Sequence, residues 1–182
     1  MRIRSRRTAA VISATLMSTF ATGLATAEAD ATNPGTTAGR VCMFDAPDGA
    51  LGLGHVAWAF RWSDGSGTWD YGATSASRNW QKHGSEQQML HDFTTSTESG
   101  GYQSYRCKDT SADDQSVAES TVTAGFARPY NLAVDNCLTR AVQIFKAYDG
   151  SGGLNSLPDG KFVFPNAYFN YDLTSWENET PL

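Results

Sequence analysis

The stretch Tyr130-Asn-Leu-Ala-Val-Asp-Asn-Cys-Leu-Thr-Arg-Ala-Val-Gln-Ile-Phe-Lys-Ala-Tyr148 decides how this chain is read. Leu138, Ala141, Val142, Phe145 and Tyr148 recur at helical spacing and make one apolar stripe. Asn136 stands before the stripe as an N-cap and Gly150 follows it as a stop. The spacing predicts a helix from Cys137 to Tyr148 with a thiol in its first turn. Unpaired backbone N–H groups and the positive end of the helix dipole favour a thiolate there. The same N–H groups suit an oxyanion. Cys137 is therefore the candidate nucleophile, and Asn136 caps the helix and positions it.

A helix with one apolar stripe needs a surface to cover. His55-Val-Ala-Trp-Ala-Phe-Arg-Trp62 supplies it by strict alternation. Val56, Trp58, Phe60 and Trp62 form a bulky core face. His55, Ala57, Ala59 and Arg61 form the other face, where small residues leave room for a closely packed element such as a helix. Ser63-Asp-Gly-Ser-Gly67 is a hairpin turn and Thr68-Trp-Asp-Tyr-Gly72 returns as the partner strand. Val41 to Phe44 and Tyr102 to Lys108 read as further strands. Val117 to Phe126 reads as a helix. Ala76 to Gln88 is polar, with room for one or two helical turns, and Met89 to Thr94 is ambiguous. The fold class is α+β: a small antiparallel sheet packed against the helix that bears Cys137.

The first 27 residues have the layout of a secretory signal peptide. Arg2, Arg4, Arg6 and Arg7 precede an apolar run, and Ala25-Thr-Ala27 is a small-x-small cleavage site. Residues 28–40, rich in Ala and Thr, read as a disordered lead-in, and 41–182 as a single domain. Without the four leader arginines, ten basic residues face nineteen acidic ones, a net charge of −9 with His neutral. That balance argues against nucleic acid and anionic membranes as partners. No segment predicts stable membrane insertion, and the expected location is extracellular.

In an oxidising compartment two of the three cysteines pair and one is left over. Cys42 and Cys107 lie in strand-like runs, whereas Cys137 opens a helix. The pair Cys42–Cys107 is preferred; the two other pairings and a fully reduced state remain alternatives. A Cys137 left free needs a base. His83 and His91 lie in polar or ambiguous stretches. His55 begins a strand after the flexible Gly52-Leu-Gly54 and is the candidate base. Asp70, on the returning strand, is a candidate orienter of the imidazole. A turn centred near Gly65, however, sets His55 opposite Thr74 or Ser75, unless a bulge at Gly72 shifts the register. The cysteines and histidines have no zinc-ligand spacing, and no cofactor or metal is expected.

Three patches resemble the circularly permuted papain-like hydrolases, a group that includes PPPDE peptidases, lecithin retinol acyltransferase-like proteins and permuted NlpC/P60 proteins. Gly54-His55-Val56 is similar to their strand-borne histidine. Trp69-Asp70-Tyr71-Gly72 is similar to the aromatic-Gly end of their next strand. Tyr130 to Cys137 is similar to the Tyr-x-Leu-x-x-x-Asn-Cys approach to their nucleophile helix. The resemblance implies Cys137 as nucleophile and His55 as base and leaves the third residue open. The implied activity is hydrolysis of an amide in a peptide, cell-wall or other extracellular substrate. Acyl chemistry on lipid esters, and a non-enzymatic binding protein, inhibitor or toxin on the same scaffold, are the alternatives.

Overall fold

The computed structural model describes residues 38–182. The expected signal peptide and all but the last residues of the lead-in lie outside the described residues. Six strands form one antiparallel sheet in the order β4-β3-β2-β1-β5-β6. They are β1 (Gly39–Ala46), β2 (His55–Arg61), β3 (Thr68–Thr74), β4 (Asn79–Ser85), β5 (Ser104–Thr110) and β6 (Thr180–Pro181). The helical elements are a single turn α1 (Gly49–Gly52), then α2 (Glu86–Thr94), α3 (Gln115–Ala127), α4 (Cys137–Asp149) and α5 (Pro165–Tyr171). The α+β class is as expected.

The central strands are buried on both faces, because each face carries its own helical layer. Val41 and Met43 of β1 and Val56, Trp58 and Phe60 of β2 pack under α4, with Ala118 and Val122 of α3 and Tyr168 and Phe169 of α5. On the other face, Cys42, Phe44, Ala57, Ala59 and Tyr71 meet Met89 and Phe93 of α2. The Phe93 ring stacks on Phe44 at 3.8 Å between centroids. The small residues of β2 do make room for a helix, but that helix is α2. The helix bearing Cys137 lies on the bulky face.

Two expectations need correction. Gly39 and Arg40, read as the end of the lead-in, belong to β1. A Cβ at Gly39 would collide with the Tyr148 ring, so glycine lets the strand run beneath α4. Arg40 is tied down by Asp109 at 2.8 Å and by Glu177 at 2.6 Å. The polar stretch after Ala76 is mostly β4, an exposed edge strand paired with β3, and turns helical only from Glu86. Lacking a buried face, β4 carries no alternation to read. The ambiguous segment after it is helix α2, capped by Ser85, whose Oγ accepts from Gln88 N–H.

Cys42 and Cys107 sit directly opposite one another on β1 and β5 and form a disulfide, the preferred pairing. The bridge spans 65 residues of chain. Replacing both cysteines by alanine is expected to lower stability in urea by about 2–4 kcal/mol. An unchanged urea midpoint would show that the register alone holds β1 to β5.

Candidate active site

The approach to α4 is built by its own sequence. Asn136 and Thr139 form a reciprocal capping box: Thr139 N–H donates to Asn136 Oδ1 at 3.0 Å, and Asn136 N–H donates to Thr139 Oγ1 at 2.8 Å. The Asn136 side-chain amide also donates to the Leu132 carbonyl at 2.6 Å. Arg140, one turn into the helix and 2 % exposed, reaches back under the preceding loop. It donates to Asp135 at 2.8 Å and to the Arg128 and Pro129 carbonyls at 3.0 and 3.1 Å. Its guanidinium also lies over the Tyr130 ring. Burial opposes ionisation of Asp135, but its bonds to Arg128 and Arg140 win and pull its carboxyl down to about 2.

This loop sets Tyr130 against Cys137. Cys137 N–H donates to the Tyr130 hydroxyl at 3.2 Å, and the nearby hydroxyl favours the ionised sulfur. Cys137 is the free cysteine among the described residues. Burial pushes its thiol above the ordinary value, against the backbone N–H of Val56, the Tyr130 hydroxyl and the N–H groups of Leu138 and Cys137 itself. The dipole-stabilised thiolate expected from the helix start is thus corrected. Desolvation outweighs four donors, and the resting group is a thiol.

His55 opens β2 after Gly54, whose φ is +93°. A Cβ at Gly54 would overlap the Asn166 side chain, whose amide donates to the Pro47 and Gly52 carbonyls at 3.0 and 3.1 Å. Glycine therefore lets α5 clamp the turn leading to His55. His55 pairs with Ala46 and follows the face of Ala57, and its ring lies 6.0 Å from that of Tyr102. Burial drives its imidazole down to about 4, and Nε2 has no hydrogen-bond partner. The Tyr102 hydroxyl is likewise buried without a partner. Its proton is held well above the usual phenol range by burial, then by Glu98 and by Cys137.

Cys137 and His55 thus approach the end of the sheet from opposite faces. They line one pocket with Tyr130, Asn136 and a set of apolar side chains. No hydrogen bond joins imidazole to sulfur. The sequence alone does not mark Tyr102 or Tyr130 as a site residue. Tyr130 had a signal, as the first residue of the Tyr-x-Leu-x-x-x-Asn-Cys stretch; Tyr102 had none.

Asp70 is not an orienter of His55. The hairpin runs in regular register without a bulge at Gly72, pairing Asp70 with Phe60. Five residues of strand, roughly 16 Å, separate it from His55. Both its oxygens accept from the Gln81 amide, at 2.9 and 2.7 Å, and His83 Nε2 lies 3.3 Å away. Burial raises its carboxyl to about 6, with Gln81 and His83 opposing and Glu119 reinforcing the shift. Ligand atoms of Asp70, His83 and Glu119 lie within 4.8 Å of one another, a set able to hold a metal ion. The three come from β3, β4 and α3, so no linear spacing reveals them.

No family model matches the chain, and no curated protein or solved structure is significantly similar to it.

Two outcomes follow from this geometry. Tyr130→Phe removes a hydroxyl that favours the ionised sulfur, so the Cys137 thiol is expected to titrate higher, read from the pH dependence of its alkylation; an unchanged titration would exclude that influence. The folded state also holds His55 neutral, with a value near 4 against the ordinary 6.5. The stability this contributes is present above about pH 6.5 and is lost as pH falls through that value toward 4. Wild type is expected to lose on the order of 3 kcal/mol relative to His55→Asn across this window in urea unfolding. Parallel curves would contradict the buried neutral imidazole.

Proposed function

We propose that this chain is a secreted cysteine hydrolase that cleaves an amide with Cys137 as nucleophile and His55 as base. The observation that carries the reading is a free thiol at a capped helix start opening on the same pocket as a buried imidazole nitrogen without a partner. The order of the parts, a histidine strand before a cysteine helix on one antiparallel sheet, supports the resemblance to permuted papain-like hydrolases. The disulfide suits an oxidising compartment. No helix among the described residues is long and apolar enough to cross a membrane.

With both groups neutral at rest, the proton moves during attack. His55 takes the thiol proton as sulfur bonds to the carbonyl carbon and the carbonyl electron pair moves to oxygen. The Tyr130 hydroxyl and the Cys137 N–H, bonded to each other in the resting site, would turn to that oxyanion as donors. As the C–N bond breaks, the leaving amine takes the proton from His55. Water then hydrolyses the thioester, releasing the acid and restoring the thiol.

A non-enzymatic binding role is the second reading, favoured by the raised thiol value and the missing imidazole–sulfur bond. Alkylation of the native, non-reduced protein by iodoacetamide at pH 7, with mass mapping, separates the two. The hydrolase predicts a single label, on Cys137, and a rate lowered at least about tenfold in His55→Ala. A Cys137 that stays unlabelled, or that reacts equally fast without His55, would favour the binding role.

A further inference from the structure

We propose that the Cys137 pocket selects a peptide carrying an uncharged, apolar side chain on the acyl side of the scissile bond. This rests on the hydrolase reading and names the substrate class of that same site.

The pocket walls are Ala50, Leu53, Leu132, Val163, Phe164 and Pro165, with no Asp, Glu, Lys or Arg among the lining residues. His55, the ionisable base beside them, is held neutral. A charged substrate group entering here would lose its hydration with nothing to pair with. An apolar side chain would gain by burial.

The rim carries the same chemistry. Leu53, Leu132 and Phe164, at 44, 76 and 58 % exposure, line the pocket while facing solvent. Leu51 and Phe162, chain neighbours of lining residues, are more exposed still. These are five of the seven large apolar side chains exposed among the described residues. Single exposed apolar residues are ordinary, but a gathered set marks a contact surface. Backbone strain collects at the same rim: Ala50, Leu51 and Phe162 adopt φ of 48°, 62° and 58°. Left-handed backbone at such residues persists where surrounding structure imposes it, and it clusters at ligand sites.

Size decides between a peptide side chain and a lipid chain. The pocket holds about 130 Å³. An apolar cavity of roughly 150 Å³ accepts a benzene-sized guest. One leucine-sized side chain therefore fills it, and most of a long acyl chain would lie outside it.

The test uses chloromethyl ketones, which alkylate the thiol with loss of chloride. Acetyl-alanyl ketones ending in leucine, phenylalanine, aspartate or lysine are compared with a hexadecanoyl chloromethyl ketone. Each rate at Cys137 is divided by the iodoacetamide rate. The leucyl and phenylalanyl reagents are expected to exceed the aspartyl and lysyl ones by at least about tenfold, and Leu132→Asp is expected to shrink that ratio. Equal normalised rates, or a ratio unmoved in Leu132→Asp, would overturn the specificity while leaving Cys137 as nucleophile. A hexadecanoyl reagent outpacing the rest would replace peptide by lipid. Failure of iodoacetamide and every ketone to label Cys137 would remove the hydrolase reading, and this one with it.

Discussion

The buried guanidinium of Arg140 is the constraint on which the site depends. It ties the loop over 128–135 to the helix that follows by bonding two of the loop's carbonyls and the Asp135 carboxylate. A guanidinium almost wholly removed from water needs partners: Nε and Nη2 find theirs in this loop, while Nη1 is buried without one. The loop therefore closes on α4, and that closure brings the Tyr130 hydroxyl onto the Cys137 N–H. The capping box then aims the first turn. Packing of the helix stripe on Val56, Trp58 and Phe60 sets how deep the thiol lies. Each step follows from the previous one, from a charged side chain in the helix to the hydrogen bonds at sulfur.

Burial governs the chemistry at that end of the sheet. It raises the thiol, lowers the imidazole and leaves His55 Nε2 and the Tyr102 hydroxyl without partners. In a low-dielectric site each charge is costly alone, and a thiolate beside an imidazolium costs less than either by itself. A neutral resting pair that ionises only as substrate displaces local hydrogen bonds fits this environment better than a standing ion pair. The apolar rim adds a surface that would exclude water once filled.

The legible parts of this fold are those whose burial is periodic. The helix from Cys137 was readable because its stripe meets a single apolar surface and its caps are local. The β2–β3 hairpin was readable from Ser63-Asp-Gly-Ser-Gly67, and the register counted from that turn is the one found. That same count argued against Asp70 as a partner of His55, and Asp70 meets Gln81 and His83 instead. Strand β4 was hidden because an exposed edge strand needs no alternation. The side of the sheet taken by α4 was also not legible, since β2 is buried on both faces and alternation cannot rank them. The depression of thiolate character by burial lies beyond any linear reading, because it depends on residues brought in from β2 and the loop over 128–135.

The central claim is that His55 and Cys137 act on one proton. The pH dependence of Cys137 alkylation by iodoacetamide, in wild type and in His55→Ala, tests it most directly. A neutral imidazole that accepts the thiol proton during attack maintains a rate plateau from just above its own value, near 4, up toward the thiol's. The account predicts that plateau in wild type and its loss in His55→Ala, whose rate should fall tenfold per pH unit below the thiol value. Identical profiles for the two proteins, both falling tenfold per unit, would contradict it.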